Sequence, residues 1–95
     1  MEKGGYIYIL STRNDALIYI GVTSNLQKRL SEHKDKKFPG FAKTYCVQKL
    51  VYYEAYNTIT EAIAREKQLK RWSRAKKNCL IERMNPNWID MSDGG

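Results

Sequence analysis

"GYIYILSTRNDALIYIG", residues 5–21, is the stretch on which the fold turns. Two short runs rich in β-branched and aromatic residues, Gly5–Leu10 and Leu17–Gly21, flank the turn-forming string Ser11-Thr12-Arg13-Asn14-Asp15. The pattern predicts an antiparallel hairpin. Pairing Leu10 with Leu17 sets Tyr8 opposite Tyr19 and Tyr6 opposite Gly21. Because side chains alternate every second residue, the two tyrosines then share one face while Ile7, Ile9, Ile18 and Ile20 share the other. Both faces are largely apolar, so both need covering.

The remaining elements follow outward from the hairpin. Ser24 as N-cap with Gln27 three residues on predicts a helix through about residue 37, with Leu26, Leu30 and Lys37 on one face. Phe38-Pro39-Gly40 ends it. Val47–Tyr56 reads as a third strand. Thr58 and Glu61 make a second capping box that opens a helix to about Trp72, and a shorter basic helix from about 74 to 84 stops before Asn85-Pro86, since the residue before proline disfavours helical geometry. The fold class is α/β in the α+β sense: a three-stranded antiparallel sheet flanked by helices, in the order ββαβαα. Residues 1–92 form a single domain and 93–95 a loose tail.

Composition narrows the function classes. The 42% apolar fraction of these 95 residues suits a globular domain and is too rich for disorder. No run approaches the roughly 18 apolar residues of a membrane span. The N-terminus enters strand-like sequence without the layout of a secretory signal, which makes the cytoplasm the expected location. Cys46 and Cys79 are too few and too far apart for a zinc site and read as reduced thiols. Seventeen basic residues against 10 acidic ones give a net charge of +7. The excess is concentrated in Lys34, Lys36, Lys37 and, more densely, in Lys67, Lys70, Arg71, Arg74, Lys76 and Lys77, so an acidic partner is expected, nucleic acid before membrane. Trp72, amid the second cluster, reads as core packing before base stacking.

Three side chains stand out chemically. On the helix from Thr58, Ile59, Ala62 and Ile63 mark an apolar stripe, and Glu66 projects inside it. A carboxylate there needs an ion pair, a proton or a metal, because an unpaired buried charge costs several kcal/mol. Arg29 and His33 are four apart on the first helix and therefore neighbours, with His33 inside the Leu26, Leu30 stripe. An ion pair for Glu66 and a core position for His33 are the plain alternatives. Their convergence with two tyrosines beside a basic surface matches what phosphodiester cleavage needs: a charge-stabilising cation, a proton carrier and a metal-holding carboxylate.

Tyr6-Ile7-Tyr8, Tyr19-Ile20-Gly21, Arg29 eight residues after that glycine, His33 four beyond and Glu66 in "AREKQLKRW" closely resemble the GIY-YIG nuclease family. The likeness is strongest to its small stand-alone bacterial members, themselves similar to the N-terminal nuclease domain of the bacterial repair excinuclease. It spans residues 5 to about 90, including the "KKNCLIERMNPNW" ending. The resemblance implies a DNA endonuclease using one divalent ion, Mg2+ or Mn2+, held by Glu66. Arg29 would stabilise the transition state, Tyr8 and Tyr19 would position and deprotonate the attacking water, and His33 would shuttle a proton. It leaves open which tyrosine is the base. Asn85 matches a late asparagine that supports the site. Tyr6 stands where the family name has glycine, as in the small members. Val22-Thr23 follows Gly21 where the excinuclease type has a lysine, a cation that Lys70 is available to replace.

The expected partner is therefore DNA, contacted through Lys67, Lys70, Arg71, Arg74, Lys76 and Lys77 with weak sequence preference, for phosphate contacts position a duplex without reading it. No small-molecule cofactor or membrane is expected, and a protein partner is left open. A non-cleaving nucleic-acid-binding module is the alternative, and a basic domain binding anionic lipid or protein a weaker third.

Overall fold

The computed structural model describes residues 4–34 and 49–92, less the side chains of His33 and Lys34. The elements are β1 (Gly5–Ser11), β2 (Ile18–Thr23), α1 (Leu26–Lys34), β3 (Lys49–Tyr56), α2 (Ile59–Lys70) and α3 (Arg74–Met84), in the expected order ββαβαα. The three strands form one antiparallel sheet, β2-β1-β3. Lys36, Lys37, the Phe38-Pro39-Gly40 stop, Cys46 and the first two residues assigned to the third strand lie outside the described residues.

Both sheet faces are covered. On one, Ile7, Ile9, Ile20 and Val51 pack against Ala62 and Leu69 of α2, Leu80 and Ile81 of α3, and Trp88 beyond it. Ile7, Ile9 and Ile81 are wholly buried, and each such side chain contributes about 1.5–3 kcal/mol. On the other face Tyr8, Leu10 and Leu50 lie under Tyr19, Met91 and the α1 leucines, Leu26 and Leu30. Among the described residues no helix is long and apolar enough to cross a membrane.

The hairpin register differs from the expected one by two residues. Tyr8 faces Gly21, Leu10 faces Tyr19 and Tyr6 faces Thr23. Turn chemistry explains the slip: Thr12 N donates to Leu17 O (3.1 Å), Leu17 N donates to Thr12 Oγ1 (3.2 Å), and Thr12 Oγ1 donates to Asn14 Oδ1 (2.8 Å). The connection thus takes in residues 12–17, and Asp15 absorbs a left-handed φ of 60°. A two-residue slip preserves alternation, so Tyr8 and Tyr19 still share a face.

The first helix is also capped differently. Asn25, not Ser24, is the cap: Lys28 N donates to its Oδ1 (3.1 Å) and Arg29 N to its carbonyl (3.1 Å). Thr23 Oγ1 brackets Asn25, accepting from its N (3.1 Å) and donating to its O (3.2 Å). The box at α2 forms as expected, Thr58 and Glu61 each serving the other's backbone. After α3, residues 85–91 return along β3: Met91 N donates to Leu50 O (2.8 Å) and Leu50 N to Asp90 Oδ1 (3.0 Å).

Candidate active site

Tyr8 is the most deeply buried of the candidate site residues whose side chains are described. Its side chain is 1% exposed in the middle of β1, and the strand partner across from it is Gly21. A Cβ on Gly21 would fall inside the phenol, with Tyr8 Cε1 at 3.0 Å and Cζ and Oη nearer still. Glycine in this strand interior is therefore what lets the ring lie across β2. The Tyr19 ring stands 6.3 Å from that of Tyr8, tilted by 50°, within the range of favourable aromatic pairs. Tyr19 is half-buried where Tyr8 is fully buried.

Four other groups act on the Tyr8 phenol. Burial, then Tyr19, push its pKa well above the ordinary 10.0; Arg29 pulls it down, and Glu32 and Glu66 push it up. The charges of Arg29 on α1 and Glu66 on α2 thus both reach Tyr8, from helices on opposite sheet faces. At neutral pH Tyr8 holds its proton.

Arg29 is half-exposed, its Nε 3.7 Å from Glu32 Oε1 one turn along α1. Together with Thr23, Ser24, Asn25 and Lys28 this pair lines a cleft of about 300 Å³. Lys28 and Glu32 were missed from sequence; for Glu32 its place at i+3 from Arg29 was the available signal, whereas Lys28 at i−1 had none. His33 follows on α1, its side chain outside the described residues.

Glu66 turns inward, but within a different stripe from the expected one. Ile59 and Ile63 are 37% and 36% exposed, and the buried row is Ala62–Leu69. Glu66 flanks it with its side chain 14% exposed and paired to Lys70 Nζ at 2.8 Å. Among the described residues no group of three or more Asp, Glu, His or Cys is arranged to hold a metal. A lone, largely buried hard-oxygen carboxylate suits one weakly held Mg2+ or Mn2+ that keeps most of its waters, and does not suit a protein-caged ion.

The basic cluster divides. Lys67, Lys70, Arg71, Arg74 and Lys76 are exposed and Lys77 is half-buried. Arg74 is bound internally: it donates to Asp15 O (2.6 Å), Ala16 O (2.9 Å) and Asn78 Oδ1 (2.9 Å), pinning α3 to the β1–β2 turn. Trp72 packs against the core, and Arg65 and Lys76 stand over its ring at 5.2 and 4.3 Å. Asn85 is buried; it donates to Val51 O (3.2 Å) and Ile89 O (2.7 Å) and accepts from Ile89 N (3.0 Å). Those bonds hold the chain after α3 against β3.

A second buried charge went unread in the sequence. Glu54 on β3 has its side chain 16% exposed and receives the Arg65 guanidinium as a fork, Nε to Oε1 at 3.0 Å and Nη2 to Oε2 at 3.2 Å. Tyr52 Oη donates to Oε2, and Tyr56 Oη to Oε1 at 2.5 Å. Burial and then the bond to Glu54 raise both phenols, Tyr56 to about 12. For Glu54 burial pushes upward, but the Arg65 fork and the two phenols outweigh it and hold the carboxyl below 4.5. A carboxyl lowered on folding stabilises above its unfolded pKa and loses that contribution as pH falls through the folded value. The stability gap between wild type and Glu54→Gln, measured by urea unfolding, is therefore expected to hold steady from about pH 7 to 5 and to narrow below about pH 4. A gap independent of pH would contradict the assignment.

Comparison with known proteins agrees with the fold. The family model described as the GIY-YIG catalytic domain matches residues 4–78. A UPF0213 protein from Bacillus pumilus is 34% identical over 84 residues, covering 88% of this chain and 86% of the relative. One from Syntrophus aciditrophicus is 39% identical over 82 residues, covering 85% and 92%. The solution NMR structure of a UPF0213 protein from Bacillus halodurans superposes with a TM-score of 0.58 at 25% identity, covering 92% of both chains.

Proposed function

Because the chain belongs to the GIY-YIG nuclease family, we propose that it is a metal-dependent DNA endonuclease, hydrolysing phosphodiester bonds with weak sequence preference and choosing branched or distorted DNA, as repair or recombination requires. The observation that carries this reading is the pair of tyrosine rings, Tyr8 and Tyr19, 6.3 Å apart over Gly21, in a chain that also turns Glu66 inward on α2. Glu66 would hold the divalent ion, which when bound supplies Lewis-acid polarisation of the scissile phosphate.

The chain's own residues account for the rest of the chemistry. Water attacks phosphorus, the bond to one bridging oxygen breaks, and the products are a phosphate monoester and a hydroxyl. Arg29, in its open cleft, sets its guanidinium against the charge that develops on phosphorus-bound oxygens. Tyr8, protonated and buried, packs beside the Tyr19 ring and positions that phenol. Tyr19, the less buried phenol, orients the attacking water, and His33 carries the proton toward the leaving oxygen. Lys67, Arg71, Lys76 and Lys77 hold flanking phosphates, while the internally bonded Arg74 contributes chiefly by fixing α3.

The test incubates the protein with plain, nicked and flapped duplexes, with Mg2+ or Mn2+ and with chelator. Cutting that requires metal and vanishes in folded Glu66→Ala is the expected result. Equal cutting by wild type and Glu66→Ala would overturn the proposal. So would salt-sensitive binding with no cleavage, which would identify a non-cleaving module.

A further inference from the structure

We infer that Glu54 and Arg65 act together as a positioning device for Glu66, their fork helping to fix the rotation of α2 and with it the place of the Glu66 carboxylate. The inference rests on the reading of Glu66 as the metal-holding residue. At about 100° per residue, Arg65 and Glu66 flank the buried row Ala62–Leu69 on opposite sides. Arg65 grips Glu54 on β3, while the charge of Glu66 reaches Tyr8 on β1. A roll of α2 that loosens one draws the other inward.

The separation of α2 from the sheet is set independently. A Cβ on Gly5 would stand 2.8 Å from Ile59 Cα and 2.9 Å from Ala62 Cβ, so glycine permits the close approach. Ala62 and Leu69 set which side of α2 meets the sheet, and the fork adds a directional restraint to one flank of that row. The guanidinium is itself held, by Gln68 Oε1 at 2.7 Å and by the Trp72 ring. Glu54 accepts four hydrogen bonds from three side chains and leaves no carboxylate oxygen without a partner. Side-chain tips lie about 5–6 Å from a helix axis, so a roll of about 20° moves the Glu66 carboxylate by about 2 Å. Misplacement of about 1 Å can cost a site about 100-fold. A buried ion pair is by contrast weak evidence for stability alone, since apolar residues of similar volume often do as well.

The test titrates Mn2+ into the full chain and follows paramagnetic broadening of the amide resonances around Glu66, with thermal melts in parallel. Arg65→Lys keeps the charge and loses the fork; Glu54→Gln keeps the shape and loses the charge. Each is expected to weaken Mn2+ binding at Glu66 by about 10-fold or more in protein that still melts cooperatively. A lowered melting temperature with wild-type Mn2+ affinity would make the fork merely structural and overturn the inference. Should either variant fail to fold, Gln68→Ala, which removes only the exposed partner of Arg65, supplies the readout: affinity falls if the inference holds and stays at the wild-type value if it does not. If Glu66→Ala binds Mn2+ at the same amides as tightly as wild type, the fault lies in the metal assignment, and the inference falls with it.

Discussion

Replacing Arg29 by alanine is expected to slow single-turnover DNA cleavage by about 100- to 1,000-fold, the usual cost of removing a donor aimed at developing charge. Its half-exposed contact with Glu32, at 3.7 Å, is too long to count as a strong charge-assisted hydrogen bond. An exposed pair of that kind contributes at most about 1 kcal/mol to folding. The melting temperature of the same variant, measured in parallel, separates loss of this donor from loss of fold. Arg29→Lys retains the charge without the planar fork and is expected to recover part of the rate. Arg29 also lowers the Tyr8 pKa, so its removal leaves Tyr8 still more firmly protonated, which excludes a newly ionised Tyr8 as a compensating base. An unchanged single-turnover rate in folded Arg29→Ala would remove Arg29 from the mechanism.

Local signals were legible in the sequence where they were short-range. The Thr58–Glu61 box and the Asn85-Pro86 stop fall where turn and cap chemistry put them. The first cap moved from Ser24 to Asn25 because Thr23, the last strand residue, grips Asn25 from both sides, and nothing in the helix's own pattern distinguishes two adjacent cap formers. The register slipped because Thr12 and Asn14 organise a longer connection than the apolar runs suggest. Glu66 projected inward correctly while Ile59 and Ile63 did not, since the sheet meets α2 along Ala62 and Leu69. The Glu54 network was visible in principle: Tyr52, Glu54 and Tyr56 alternate with period two, so all three share a face. The partner was not visible, because only the packing of α2 decides that Arg65 rather than Lys67 meets them.

Gly21→Ala is expected to destabilise the protein by about 1–3 kcal/mol, the cost of forcing one methyl into a packed core. Strand propensity argues the other way, since alanine in a strand interior ordinarily relieves the entropic cost of glycine by about 0.5–1 kcal/mol. The collision decides the sign: the added Cβ would lie within the Tyr8 ring, and Tyr8 cannot turn away because Leu26 and Leu30 cover it. The same substitution in a Tyr8→Leu background meets no distal ring atoms and should cost little or become stabilising. A double-mutant cycle by urea unfolding therefore predicts strong coupling between positions 8 and 21. Purely additive effects would show that the glycine serves some other purpose than housing the phenol. The cycle also separates the fold from the chemistry, since the folded fraction of Gly21→Ala must displace the Tyr8 hydroxyl from its place over Gly21, next to the Tyr19 ring. Its cleavage rate per folded molecule should fall as well, so the glycine of this motif holds the geometry of the site as well as that of the sheet.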